Sequence, residues 1–80
     1  MENIYDEKER FVKHTLPAVC AAIDPGVVAL NYERDPKGLE TVTVIYKRHD
    51  SNGREIIDTR NINVTADSLR CIVLDVVRYL

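Results

Sequence analysis

The chain has 80 residues, 45% of them hydrophobic and 30% charged, with a formal net charge of −2. That length makes one domain, residues 1–80, which buries only ~60–65% of its unfolded surface and gains most from an efficient core or from association. The composition argues against disorder, the interspersed acids and bases against a broad basic field for a phosphate backbone, and the lack of any apolar run near ~18 residues against a membrane span.

Residues 3–23 read as a helix. Ile4, Phe11, Val12, Leu16, Val19, Cys20 and Ile23 recur at steps of three and four, with Lys8 in the same stripe. Asp6, Glu7 and Glu9 suit the positive end of a helix dipole. Pro17 lacks an N–H and clashes with the preceding turn, so a kink or a break is expected near Thr15. The apolar phase carries across Pro17, which favours one kinked helix. Asp24-Pro25-Gly26 ends it.

Gly26 to Arg34 reads as a strand. A three-residue loop, Pro36-Lys37-Gly38, sets Arg34 opposite Glu40, Tyr32 opposite Val42, Leu30 opposite Val44 and Val28 opposite Tyr46. Leu39 to His49 is the next strand, dense in β-branched and aromatic residues. Asn52-Gly53 signals a second hairpin. A three-residue loop, Ser51-Asn52-Gly53, pairs Val42 with Ile62 and Asp50 with Arg54. A two-residue loop pairs Val42 with Asn63. The first choice is preferred: it buries Ile56, Ile62 and Val64, but it also aims Asp58 and Arg60 inward, which a bulge near Ile57 would relieve.

The last element is an amphipathic helix from about Ala66 to the chain end, carried by Leu69, Ile72, Val73, Val76, Val77 and Leu80. Thr65 is its expected N-cap, Asp67 lies in its first turn, and Val64 and Leu69 are spaced as a hydrophobic staple. The fold class is therefore α+β: a helix, a three-stranded antiparallel meander and a helix (αβββα), with both helices on one face of the sheet. The expected core is Phe11, Leu16, Val19, Val28, Leu30, Val42, Val44, Leu69, Ile72, Val73, Val76 and Val77.

Motifs that carry chemistry are scarce. The three glycines all lie at turns, so there is no phosphate-binding loop. His14, His49, Cys20 and Cys71 are spread too widely for the close ligand pairs of a structural zinc site. His49-Asp50 is a weak two-residue match to a metal or base site. No catalytic residue, metal or cofactor is expected. The N-terminal stretch lacks the apolar core of a signal peptide, and the two cysteines read as buried thiols, so the expected compartment is the cytoplasm.

The order of elements resembles that of the double-stranded RNA-binding domain. That family reads RNA with a lysine cluster at the start of its last helix and a histidine-bearing loop between its first two strands. Here the corresponding stretches are Thr65-Ala66-Asp67-Ser68-Leu69-Arg70 and Asp35-Pro36-Lys37-Gly38. The resemblance implies architecture, with nucleic-acid binding as an alternative function through Arg34, Lys37, Lys47, Arg48, Arg54 and Arg60.

The leading expectation is a non-enzymatic protein–protein interaction module, acting by surface occupation and self-associating as a homodimer. Its partner surface is the uncovered sheet face: Val27, Ala29, Thr41, Thr43, Ile45 and Lys47, with Asn31 among them. The first strand is expected at an edge, and Val27-Val28-Ala29-Leu30 has no charge to discourage strand addition.

Overall fold

A computed structural model describes residues 4–64 and 68–80. Helix α1 spans Ile4–Arg10 and α2 spans Leu16–Ile23, joined by a π-helical segment, Phe11–Thr15. Strands β1 (Val27–Arg34), β2 (Glu40–His49) and β3 (Glu55–Val64) form one antiparallel sheet in the order β1-β2-β3. Helix α3 spans Leu69–Val77. The architecture is the expected αβββα.

Pro17 neither splits the first helix nor leaves it regular. Leu16 N–H donates to the Phe11 carbonyl, five residues back, and Pro17 then enters the first turn of α2, where its missing N–H costs little. The wide turn also aligns the buried stripe. Lys8, Val12, Leu16 and Cys20 are buried at strict steps of four. In a regular α-helix a four-residue step drifts by about 40° each time; the π segment takes up part of that drift. Val19, expected on this face, falls off it and is 40% exposed. Ile4, one further step of four before Lys8, and Ile23, also expected there, are exposed at the two ends of the helical stretch.

Both hairpins use the same turn. Asp35 Oδ1 accepts from Lys37 N (2.9 Å) and Leu39 N (2.8 Å); Asp50 Oδ1 accepts from Asn52 N (2.8 Å) and Arg54 N (2.9 Å). Gly38 and Gly53 take φ of 91° and 79°, the left-handed conformation that closes each loop. These two three-residue loops give the expected registers, Arg34 opposite Glu40 and Val42 opposite Ile62.

The first strand departs from expectation at its start. Val27, not Val28, stands opposite Tyr46, because a bulge lies between Val27 and Ala29. Val27 is therefore 4% exposed and belongs to the core, while Val28 is 51% exposed. The bulge expected near Ile57 is absent: β2 and β3 pair without interruption from Glu40–Val64 to His49–Glu55. Asp58 and Arg60 keep their places on the helix-side face and are exposed, as is Ile56.

The physical reason lies in α3. Its cap is Ser68, whose hydroxyl accepts from Cys71 N, so the helix covers only Leu69–Val77. The expected cap Thr65, first-turn Asp67 and start at Ala66 lie outside the described residues. With Ser68 as cap, Val64 and Leu69 do not form a staple; Val64 is buried and Leu69 packs against the core from the helix. Nine helical residues span about 13 Å against about 33 Å for a ten-residue strand. So α3 covers the end of β3 near Ile62 and Val64 and leaves the rest bare.

The core gathers Val12, Leu16, Cys20, Val27, Leu30, Tyr32, Val42, Val44, Tyr46, Ile62, Val64, Ile72 and Val76, with Phe11, Leu69, Val73 and Leu80 packed against it. Val77 is half-buried.

Candidate interaction surface

The sheet's pleat sorts its side chains. Rows across the face away from the helices run Glu33-Thr41-Asn63, Asn31-Thr43-Asn61, Ala29-Ile45-Thr59 and Lys47-Ile57. Thr43 Oγ1 donates to Asn61 Oδ1 at 2.9 Å. Of the residues expected on this surface, Ala29, Thr41, Thr43, Ile45 and Lys47 do share it. Val27 does not, since the bulge turns it into the core. Ile57, which the sequence reading passed over, joins the face and is 57% exposed. Ile45 and Ile57 are diagonal neighbours, about 7–8 Å apart across β2 and β3. They lie side by side, with threonines and asparagines toward the first loop and the Lys47–Glu55 ion pair toward the second.

The two sheet edges differ. β1 is an edge as expected, but its uncharged stretch is the bulged one, and a bulge twists an edge away from pairing. β3 is the other edge, ten residues long and regularly paired. All of its residues from Glu55 to Asn61 are exposed. The signal for this surface was present in the sequence as the inward-aimed Asp58 and Arg60: charges at core-facing positions mark a strand half that nothing covers.

The six candidate bases do not gather. Arg34 lies over the Tyr5 ring (3.8 Å) near the first loop, which carries Lys37. Lys47 pairs with Glu55 (3.3 Å) on the outer face. Arg48 pairs with Asp24 (3.3 Å) and covers the Tyr46 ring (4.5 Å). Arg60 Nη1 donates to the Tyr79 carbonyl (2.8 Å), and Arg54 sits at the far loop. They occupy both faces and both ends of the sheet.

A buried ionic cluster ties α1 to the first hairpin. Lys8 Nζ donates to Glu40 Oε1 at 2.8 Å, and the Tyr32 hydroxyl donates to the same oxygen. Burial opposes the Glu40 charge, but hydrogen bonds from Lys8 and Tyr32 and the charges of Lys8 and Arg34 outweigh it. The carboxyl is held below its ordinary value. Tyr32 is pushed well above the usual phenol range by burial first, then by Glu40. Burial also raises the Cys20 thiol. Cys71, expected to be buried, is exposed on α3, and both thiols are free.

The His49-Asp50 pair resolves into turn chemistry. Both oxygens that Asp50 contributes to the loop accept backbone N–H groups, and His49 stands opposite Glu55. Among the described residues no group of three or more His, Cys, Asp or Glu is placed to hold a metal ion. A shallow depression of about 340 Å³ lies on the first helix, lined by Asp6, Glu9, Arg10, Lys13 and His14. Lys13 pairs with Glu9 there at 2.7 Å. No helix of the described residues is long and apolar enough to cross a membrane.

Comparison of the chain with protein-family models, curated proteins and solved structures finds no match.

Proposed function

We propose that this chain is a small non-enzymatic interaction module that self-associates and works by occupying the surface of a partner protein. One observation carries the reading: the sheet is covered on one face only, and its open face sets Ile45 and Ile57 side by side between threonines and asparagines at one end and the Lys47–Glu55 pair at the other. Apolar residues rimmed by polar and charged groups are the composition of a protein-docking patch. The proposed compartment is the cytoplasm, whose reducing chemistry suits two free thiols, one of them the exposed Cys71.

The test is affinity capture from the source cell with the wild-type chain, with Ile45→Asp and with Ile57→Asp. The reading expects a partner that is retained by the wild type and lost by both variants, then rebuilt from purified components. Partners that ignore both substitutions would remove the open face as the docking site.

A further inference from the structure

The free edge of β3 carries a register of its own. Asp50 and Arg54, which close the second loop, form a hydrogen-bonded pair, Asp50 N donating to Arg54 O at 2.9 Å. Antiparallel pairs alternate between bonded and non-bonded. The bonded pairs are therefore those of Ile56, Asp58, Arg60, Ile62 and Val64 with β2. The N–H and C=O groups of Glu55, Ile57, Thr59, Asn61 and Asn63 point the other way, to the open edge. Thr59 N shows it: its hydrogen bond is to the neighbouring Asp58 carboxylate, at 2.9 Å, not to β2.

An antiparallel strand added here must set its own outward-pointing residues opposite these. For a second copy of β3 related by a two-fold axis, that leaves only axes passing through a residue. An axis at Asp58 sets Asp58 against Asp58. An axis at Arg60 sets Arg60 against Arg60. An axis at Ile57 sets Arg54 against Arg60, and one at Asn61 sets Asp58 and Arg60 against Val64 and Ile62. An axis at Thr59 sets Asp58 opposite Arg60 twice and Ile56 opposite Ile62 twice. Those side chains lie in non-bonded pairs, where cross-strand contact is closest. The same axis sets the half of β3 that α3 leaves bare beside the half that the other copy's α3 covers.

We infer that β3 is the self-association edge of this protein, a second copy pairing through a two-fold axis at Thr59 to make one continuous six-stranded sheet. This rests on the self-association reading above and names its surface. The occupant is a second copy because, of the five axes nearest the middle of β3, this one alone makes the charge pattern of the edge complementary to itself. An axis at Ile56 would set Arg54 against Asp58 but would pair only Glu55, Ile56 and Ile57 of the strand. Isologous pairing of this kind closes on itself and leaves β1, with its bulge, as the outer edge.

Three variants test it, read by sedimentation velocity across a concentration series. Thr59→Pro removes an outward N–H that β2 does not use, so the hairpin should keep its fold, checked by circular dichroism, while the dimer is lost. Asp58→Arg alone and Arg60→Asp alone each place like charges opposite each other, and each should weaken self-association about tenfold to a hundredfold. Mixed one to one, the two charge variants should form a heterodimer, because each restores the other's opposite pairs. Wild-type affinity in Thr59→Pro, or two charge variants that fail to combine, overturns the β3 register while leaving self-association through another surface. A wild-type chain that is monomeric at every concentration overturns self-association itself. The charge variants decide the matter if the proline variant does not fold.

Discussion

Lys8 and Glu40 meet at 2.8 Å with side chains only 5% and 13% exposed, joining the first helix to the second strand across 32 residues of sequence. An ion pair so placed costs desolvation, which the Tyr32 hydroxyl and the nearby Arg34 offset at Glu40. Substituting Glu40→Gln keeps the shape and removes the charge from beside a buried ammonium. It should cost about 1–3 kcal/mol at neutral pH, read from urea denaturation. An unchanged midpoint would mean that the cluster does not hold the helix.

The same pair sets an acid limit. The Glu40 carboxyl titrates lower in the folded chain than in the unfolded one, where a glutamate has a value of about 4.3. Its contribution is complete above the unfolded value and is lost as pH falls through the folded one. Thermal stability should therefore drop on acidification below about pH 4, and the drop should be shallower in Glu40→Gln. Tyr32 runs in the opposite sense. Its phenol is raised by folding, so its contribution is complete below the ordinary value of about 10 and is lost as pH rises above it.

The bulge at the start of β1 exchanges the fates of two adjacent valines. Val27→Ala should cost about 1–2.5 kcal/mol as lost burial and cavity, while Val28→Ala should cost less than about 0.5 kcal/mol. Equal costs from paired denaturation curves would contradict the bulged register.

Much of this fold can be read from the residues alone, because turn chemistry and strand pattern agree. Asp-x-x-Gly recurs in both loops, and each time the aspartate accepts two backbone N–H groups while the glycine takes positive φ. That fixes both registers. The bulge at Val27 and Val28 was hidden, since two neighbouring valines satisfy a period-two pattern equally well in either phase. The outward turn of Val19 was hidden too, because a π segment changes the helical phase and leaves no mark in hydrophobic spacing; Ile23 is exposed as the last residue of α2. For the surface, Ala29 and Ile45 could be placed from strand alternation. Ile57 was missed because the inward charges Asp58 and Arg60 looked like a fault to be relieved by a bulge, when they mark the bare half of β3.

Nucleic acid should bind weakly or not at all. Arg34, Lys47, Arg48 and Arg60 are engaged with Tyr5, Glu55, Asp24 and Tyr79, and the six candidate bases are spread over both faces. A gel shift against double-stranded RNA and DNA at about 50 mM salt, where phosphate contacts are strongest, should show no retardation at micromolar protein. Tight retardation that weakens with added salt would favour the nucleic-acid reading instead.

The most direct test of the account is the solution mass of the wild-type chain by sedimentation equilibrium, from micromolar to millimolar concentration. Self-association through the sheet predicts a mass rising to twice that of one chain, with a melting temperature that climbs with concentration by mass action. A mass of one chain throughout, with a melting temperature independent of concentration, would contradict it.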